Sequence, residues 1–311
     1  MKDKGIKLLK SYKGFDCELV TDLSRENLLL KLPEFDGITL RRGKIDREIL
    51  NKCDKLKVIA RHGVGYDSVD TVSLKEKGIT LLVAHNSTST SPAEHIMFMI
   101  MNIYKGVSMF DTMVRNGDFV KAIHLNIEQN FELFDKTVLI AGFGRIGKKL
   151  IKKCLGFDMK VIVFDPYVDD KVIASFGGKK VSNLEDALKV ADILSLSLPL
   201  NSETKNFITL REMKLMKKSS VIINAARGGV VNEKDLNNAL NNNIIAFAGI
   251  DVFEKEPPEL TNPLLTNKKV VLSPHAATFT KEGLESMAVE TAQNIIDFFE
   301  NKIESTKIVK L

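Results

Sequence analysis

The sequence predicts an α/β fold built on a doubly wound parallel sheet, and three observations support that prediction. Short apolar runs rich in Val, Ile and Leu recur along the chain, mostly without the strict alternation of a half-exposed strand. Segments with helical periodicity lie between them, which gives repeated β-α units. A glycine-rich turn also joins one apolar run directly to a helical segment. Parallel strands covered by helices on both faces account for all three.

The predicted strands follow one another along the chain in two groups. A long apolar helical segment that begins near Ser91 separates the groups. In order, the predicted strands are residues 37–40, 57–60, 79–83, 137–141, 160–164, 192–198, 221–224, 246–251 and 270–273.

The length of 311 residues is typical of two domains. Nothing in the sequence resembles a flexible linker between two contiguous domains. We therefore expect the chain to cross between domains on helices, near Ser91 and again near Thr280. Residues 1–92 and 281–311 would then form one discontinuous domain, and residues 93–280 would form the other.

Composition and charge exclude several classes of protein. The formal net charge is +5 and the longest basic runs are pairs, so we expect no nucleic-acid partner. No stretch has the roughly 18–20 consecutive apolar residues of a membrane span, so no membrane partner is expected. Cys17, Cys53 and Cys154 are far apart, which argues against a disulfide framework and against a zinc site. The sequence predicts a soluble, cytoplasmic protein.

The segment from Thr137 to Gly147 has the pattern of a dinucleotide-binding turn, G-x-G-x-x-G after a strand and before a helix. Gly142 would permit the tight turn, Gly144 would leave room for a pyrophosphate, and Gly147 would let the helix pack closely on the strand. The helix N-terminus would offer free N–H groups to the phosphates. The alternative is a tight strand–helix turn that binds no ligand.

Asp165 ends the next predicted strand, 18 residues after Gly147. A carboxylate at that position accepts hydrogen bonds from the ribose hydroxyls of NAD and repels the 2′-phosphate of NADP. The sequence therefore favours NAD as the cofactor. The alternative is that Asp165 only begins the turn before Pro166.

Three later residues are candidates for chemistry. Arg227 follows a buried strand and precedes two glycines, a place where a guanidinium could grip a carboxylate and polarise a neighbouring carbonyl. His275 ends another strand, and Glu256 could accept a hydrogen bond from its ring and raise its pKa. Taken singly, each could be a surface or structural residue. Together with a nicotinamide they form one reaction, in which His275 takes the hydroxyl proton as hydride leaves C2, and no metal is required.

Four motifs in this order resemble those of the D-isomer-specific 2-hydroxyacid dehydrogenases. They are Gly-Phe-Gly-Arg-Ile-Gly, Asn-Ala-Ala-Arg-Gly-Gly, Asp-Val-Phe-Glu-Lys-Glu-Pro-Pro and Ser-Pro-His-Ala, beginning at residues 142, 224, 251 and 273. Within that family the phosphoglycerate dehydrogenase branch is the most similar. The resemblance implies a Rossmann-type NAD domain, a smaller flavodoxin-like α/β substrate domain, and a homodimer.

The resemblance also implies roles for individual residues. Arg227, Glu256 and His275 match the catalytic positions. The implied cofactor contacts are Gly142, Gly144, Arg145, Ile146, Gly147, Asp165, Leu198, Ala225, Ala226, Asp251 and Ala277, with Asp251 on the nicotinamide amide. The implied substrate contacts are Arg41, Arg61, Val64, Gly65 and Arg227.

The arginines that follow the first two strands indicate which kind of substrate the protein would bind. Arg41, Arg42 and Arg61 would suit a second anion, which favours 3-phosphoglycerate, a precursor in serine biosynthesis, or a similar doubly anionic acid. A glyoxylate or hydroxypyruvate reductase is the alternative within the family. An NAD-responsive binding protein, such as a corepressor, is the alternative outside catalysis.

The sequence departs from the family pattern at both ends. Residues 4–10 already have the pattern of the first helix, so the family's first strand is not recognisable. Either the start is misassigned or the first domain has a smaller sheet. The chain ends soon after the last long helix, so we expect no regulatory C-terminal domain and no feedback by serine through one.

Overall fold

The chain crosses twice between two units. The computed structural model describes residues 1–85, 87, 89–125 and 130–311. One unit consists of Met1–Thr88 and Thr278–Leu311, and the other of Ser89–Ala277. The crossings therefore fall at 88/89 and 277/278, where the sequence analysis expected 92/93 and 280/281.

The first unit is a parallel sheet of three strands in the order β1-β2-β3, with helices on both faces. On β2, Val58 and Ala60 face one layer of helices, and Ile59 faces the other. The elements up to the first crossing are α1 (Asp3–Ser11), α2 (Arg25–Lys31), β1 (Gly37–Leu40), α3 (Arg47–Asn51), β2 (Val58–Arg61), α4 (Thr71–Lys77) and β3 (Thr80–Val83). A short 3-10 turn, Leu32–Glu34, follows α2.

The N-terminal segment is helical, as its sequence pattern predicts. In the described part of this unit β1 is an edge strand, and its open side borders a cavity of about 900 Å³. Apolar side chains such as Leu9, Leu28 and Phe299 line that cavity together with Arg41 and His62. The described residues therefore fit the alternative in which the first domain has a smaller sheet, and not the one in which the start is misassigned.

The second unit is a seven-stranded parallel sheet in the order β10-β9-β8-β7-β4-β5-β6. Its strands are β4 (Thr137–Ala141), β5 (Lys160–Phe164), β6 (Lys179–Val181), β7 (Ile193–Leu196), β8 (Val221–Asn224), β9 (Phe247–Ile250) and β10 (Val270–Leu272). Val138 and Ile140 of β4 pack into one apolar core, and Leu139 and Ala141 pack into another on the opposite face. The prediction of a doubly wound parallel sheet is confirmed.

Helices cover both faces of this sheet, and one more helix completes the first unit. The helices of the second unit are α5 (Thr90–Lys105), α6 (Val107–Arg115), α7 (Phe119–Ile123), α8 (Arg145–Leu155), α9 (Asp170–Ser175), α10 (Leu184–Val190), α11 (Leu210–Met213) and α12 (Glu233–Asn241), with a 3-10 turn at Pro263–Leu265. The long helix α13 (Lys281–Phe299) and a 3-10 turn at Ser305–Lys307 follow the second crossing.

The strand order places a topological switch between β4 and β7, because the chain runs outward from β4 in one direction and then returns to the other side. Ligands of open parallel sheets bind at the carboxyl ends of the strands beside such a switch.

The strand β6 was not predicted from the sequence. It is a three-residue edge strand with two lysines. Lysines protect an edge strand against pairing with another chain, but they give no apolar pattern from which a strand could be predicted.

Candidate active site

The glycine-rich turn between β4 and α8 has the shape that a dinucleotide requires. Gly142 has φ +96°, and a Cβ there would lie 2.6 Å from the carbonyl oxygen of Ser197. A Cβ at Gly147 would lie 2.6 Å from the carbonyl oxygen of Gly142. At Gly144, by contrast, no described atom lies within 4 Å of the Cβ position. Two glycines therefore permit close packing, while the middle one leaves open space at the start of α8.

The open space lies where backbone donors are available. Gly144 is the N-cap of α8, and Arg145 and Ile146 occupy its first turn. The first-turn N–H groups of a helix have no partner within the helix and carry its positive dipole end. The turn thus fits a pyrophosphate, as the sequence analysis predicted.

Asp165 follows β5 and is already tied to the same turn. Its Oδ2 accepts the backbone N–H of Phe143 at 2.8 Å, and its Oδ1 accepts that of Tyr167 at 2.9 Å. These two bonds fix the carboxylate beside the glycine-rich turn. A carboxylate still has lone pairs for further donors, so the position is compatible with ribose hydroxyls.

The other predicted cofactor residues follow neighbouring strands at the same edge of the sheet. Leu198 comes after β7, Ala225 and Ala226 after β8, Asp251 after β9, and Ala277 after β10. Because all these strands are parallel, their carboxyl ends lie along one edge. The structure therefore brings these predicted residues to the edge that carries the glycine-rich turn.

Arg227 lies in a turn that its neighbours hold rigidly. The side chain of Asn224 donates to the carbonyl of Arg227 at 2.9 Å and accepts the N–H of Ala226 at 3.1 Å. Gly228 is required here, because a Cβ would lie 1.8 Å from the carbonyl oxygen of Phe253. The turn that carries Arg227 is therefore packed against the loop that carries Glu256. The sequence analysis did not single out Asn224, although a polar residue ending an apolar strand was a usable signal.

His275 and Glu256 form a hydrogen-bonded pair. Nδ1 of His275 lies 2.8 Å from Oε2 of Glu256, and Oε1 of Glu256 accepts the N–H of Phe253 at 3.1 Å. The carboxylate is thus anchored to its own loop and holds one ring nitrogen of His275. This leaves Nε2 as the ring nitrogen available for proton transfer.

The pair changes the ionisation of both groups. The hydrogen bond to Glu256 raises the pKa of His275 above its usual value, against an opposing effect of burial and of the Arg227 charge. Burial pushes the pKa of Glu256 upward, but the hydrogen bond and charge of His275 outweigh it and the pKa is lowered. Glu256 is therefore a carboxylate at neutral pH, and His275 is poised to hold or release a proton.

Asp251 is fully buried, and its carboxylate accepts hydrogen bonds from the backbone of the chain. Its Oδ1 accepts the N–H of Ala276 at 2.8 Å and its Oδ2 that of Ala277 at 3.1 Å. Nε2 of His95, on α5, lies 3.5 Å from Oδ1. The predicted contact of Asp251 with a nicotinamide amide stays a prediction. His95 was not predicted, because a histidine inside an apolar helix has no signal of its own.

The predicted substrate residues of the first unit follow β1 and β2. Arg61 donates from Nε to the carbonyl of Gly65 at 2.7 Å and from Nη1 to that of Leu40 at 3.0 Å. Its guanidinium therefore shapes the loop that contains Val64 and Gly65. Arg41 and Arg42 are exposed. Burial and the charge of Arg41 lower the pKa of nearby His62 to about 4, so that ring is neutral.

Two further properties of the described residues concern metal binding and membranes. Within residues 1–85, 87, 89–125 and 130–311, no group of three His, Cys, Asp or Glu side chains could hold a metal ion. No helix in this part of the chain is both long and apolar enough to cross a bilayer.

Comparison with known proteins places this site in context. Residues 97–277 match the family described as D-isomer specific 2-hydroxyacid dehydrogenase, NAD binding domain. The prediction of an NAD-binding domain is confirmed by that match.

Two relatives and one solved structure indicate the range of similar proteins. D-3-phosphoglycerate dehydrogenase of Methanocaldococcus jannaschii is 35% identical over 95% of this chain and 55% of its own. Glyoxylate reductase of Thermococcus litoralis is 35% identical over 99% of this chain and 94% of its own. D-lactate dehydrogenase of Aquifex aeolicus, complexed with NAD and lactic acid, has a TM-score of 0.81 at 28% identity, covering 90% of this chain and 88% of that chain. The chain spans about half the length of the phosphoglycerate dehydrogenases it matches.

Glu256→Gln is expected to lower the pKa of His275, because it removes the negative charge that stabilises the protonated ring. The measurement is an NMR pH titration of the imidazole signals, assigned by His→Gln variants. Glu259→Gln is the matched control, since Glu259 lies in the same loop and pairs only with exposed Lys255 among its described contacts. An unchanged His275 titration in Glu256→Gln would contradict the coupling.

Proposed function

The chain belongs to the D-isomer specific 2-hydroxyacid dehydrogenase family, as its motifs predicted, and from that premise we propose that it is an NAD-dependent oxidoreductase. It transfers a hydride between C2 of a D-2-hydroxy acid and the nicotinamide. The observation that carries this proposal is the 2.8 Å pair of His275 and Glu256 on the sheet edge that holds the glycine-rich turn.

The residues divide the work as follows. Arg227 binds the substrate carboxylate and polarises the C2 oxygen. Nε2 of His275 accepts the C2 hydroxyl proton during oxidation and returns it during reduction of the 2-oxo acid. Glu256 stabilises the imidazolium and fixes the ring orientation. When bound, NAD supplies the hydride acceptor or donor.

The residues of the second unit suit NAD as that cofactor. Gly144 and the first turn of α8 accommodate the pyrophosphate, and Asp165 is held beside them by the N–H of Phe143. The negative charge of Asp165 favours ribose hydroxyls over a 2′-phosphate.

For the substrate, we propose a doubly anionic 2-hydroxy acid such as 3-phosphoglycerate. Arg41 and Arg42 are exposed at the end of β1, and the charge of Arg41 acts on buried His62. Exposed guanidinium groups are suited to a phosphate. A serine-biosynthetic role would follow from that substrate.

Glyoxylate or hydroxypyruvate reduction is the second candidate, and a specific observation favours it. Two donors of Arg61 are directed at backbone carbonyls of Gly65 and Leu40, which leaves less of this guanidinium for a second anion. A smaller acid with a single carboxylate would not need a second guanidinium beside Arg227.

The activity is tested by following NADH absorbance with a panel of 2-oxo acids that includes 3-phosphohydroxypyruvate, glyoxylate, hydroxypyruvate and pyruvate. Wild type should reduce at least one of them. His275→Ala should lower kcat by about 10²- to 10⁴-fold, the usual worth of a general acid. NADH fluorescence should report unchanged binding in the variant.

A different outcome would favour a binding protein. If wild type and His275→Ala bind NADH equally and neither reduces any acid of the panel, the enzyme proposal is wrong. The NAD-responsive, corepressor-like alternative would then stand.

Arg41→Ala distinguishes the two substrates. It is expected to lower kcat/KM for 3-phosphohydroxypyruvate by about 10- to 100-fold, the loss of one charge-assisted hydrogen bond, with little effect on glyoxylate. Arg47→Ala is the control, because Arg47 is exposed on α3 and pairs with Glu76. Equal effects of Arg41→Ala on both acids, or better use of glyoxylate by wild type, would favour the second candidate.

We further propose that the partner of the chain is a second copy of itself, bound through α6 and α7. Helix α6 has no buried residue, and apolar side chains crowd its surface and that of α7. The exposed apolar residues of this patch are Val107, Met109, Val114, Phe119, Val120 and Ile123. Several exposed apolar side chains on two neighbouring helices are characteristic of a protein–protein interaction surface.

Ile123→Glu is expected to weaken the dimer by at least about tenfold, because a charge would be buried at an apolar contact. Sedimentation at several protein concentrations gives the dissociation constant. Leu260→Glu is the control, since Leu260 is 94% exposed and lies in a loop outside the patch. A wild type that sediments as a monomer at every concentration would contradict the proposed dimer.

A further inference from the structure

Three consecutive backbone N–H groups of the loop that carries His275 end on one residue, Asp251. The N–H of His275 donates to the carbonyl oxygen of Asp251 at 2.7 Å. The next two N–H groups, of Ala276 and Ala277, donate to its carboxylate at 2.8 and 3.1 Å. His275 itself has φ +52°, a left-handed conformation that a residue with a Cβ seldom adopts. The direction of its ring therefore depends on how firmly Asp251 holds this loop.

The Asp251 carboxylate is itself in an unusual position, because it is fully shielded from solvent. A buried carboxylate is costly unless donors or a cation compensate its charge. Burial pushes its pKa upward, but the nearby ring of His95 and hydrogen bonds from Ser273 and Ala276 outweigh this and lower the pKa. The carboxylate therefore stays ionised, and its acceptors stay available to the loop.

The side chain that approaches this carboxylate from outside the loop is His95. It lies on α5, its side chain is 19% exposed, and its Nε2 is 3.5 Å from Oδ1 of Asp251. That separation is longer than the roughly 2.7–3.2 Å of a usual N–H···O hydrogen bond. Among the described residues, Nε2 of His95 has no hydrogen-bond partner of its own. Asp251 is thus the group toward which this buried nitrogen is directed.

We propose that His95 is a positioning residue for His275, acting through Asp251. Its ring nitrogen compensates the buried carboxylate from the helix side, so that both carboxylate oxygens can hold the N–H groups of Ala276 and Ala277. This in turn keeps His275 in its left-handed conformation, with Nδ1 toward Glu256. The expected loss of kcat rests on the proposed function, whereas the expected change in hydrogen exchange of the loop does not.

Two substitutions of His95 separate positioning from packing. His95→Ala removes the donor, and His95→Gln restores an amide N–H close to the position of Nε2. Glu94→Gln is the matched control, because Glu94 is adjacent on α5 and pairs with Lys153 of α8 instead. All three are measured as the full-length protein beside wild type.

The first readout needs no substrate. Hydrogen–deuterium exchange of the peptide covering residues 273–279 should accelerate in His95→Ala, and should be close to wild type in His95→Gln and in Glu94→Gln. Overall thermal unfolding is recorded in parallel. A His95→Ala protein that only melts earlier, with wild-type exchange in this peptide, would mean that His95 is a packing residue and would overturn the proposal.

The second readout is steady-state reduction of the best 2-oxo acid. His95→Ala should lower kcat by about 10- to 100-fold, as small misplacements of a reacting group do, with KM for NADH within about threefold of wild type. His95→Gln should recover most of the loss. Wild-type kcat in folded His95→Ala would overturn the proposal.

The two readouts also distinguish this inference from the proposed function. If wild type reduces none of the acids, the proposed function fails, and the exchange experiment alone decides whether His95 positions the loop. If wild type is active while His95→Ala matches it in exchange and in kcat, the enzyme proposal survives and the positioning inference does not.

Discussion

The hydrogen bond between Glu256 and His275 joins two loops that leave neighbouring strands, and the rest of the site is arranged around it. Glu256 lies beyond β9 and His275 beyond β10, and these strands are paired and parallel. Parallel strands deliver their following loops to the same edge of the sheet. The pairing of the two strands thus brings together a carboxylate and an imidazole that are 19 residues apart in sequence.

The same constraint accounts for much of what the sequence could predict. Gly142, Gly144 and Gly147 stand between an apolar run and a helical segment, so the strand–helix turn followed from the motif together with its context. The pairing of His275 with Glu256 followed from strand ends and from the chemistry of the two groups. Nine of the described strands were recognisable as short apolar runs, most of them rich in Val, Ile and Leu without strict alternation.

What the sequence could not predict depends on contacts that have no local pattern. The strand β6 carries two lysines and has no apolar periodicity. His95 approaches the buried carboxylate of Asp251 only because α5 packs beside it. The hydrogen bonds from Arg61 to two backbone carbonyls could not be predicted either, and its predicted contact with substrate stays a prediction. In each case the contact is made by a tertiary neighbour, which single-sequence patterns do not contain.

The proposed reacting groups and the proposed substrate residues belong to different units of the chain. Arg227, Glu256 and His275 all belong to Ser89–Ala277, whereas Arg41 and Arg61 belong to the other unit. The proposed reaction at C2 is the same for every 2-hydroxy acid, so the proposed substrate residues Arg41 and Arg61, and not the proposed reacting groups, would decide among acids.

The central claim is that Nε2 of His275 exchanges a proton with the C2 oxygen during hydride transfer. Stopped-flow measurement of a single turnover of NADH with the best 2-oxo acid, across pH, tests it most directly. The account predicts a rate that is constant at low pH and falls above a pKa higher than the value of about 6.5 for free imidazole. That falling limb should be absent in His275→Ala, which should be slow at every pH. The same falling limb in His275→Ala as in wild type would contradict the claim.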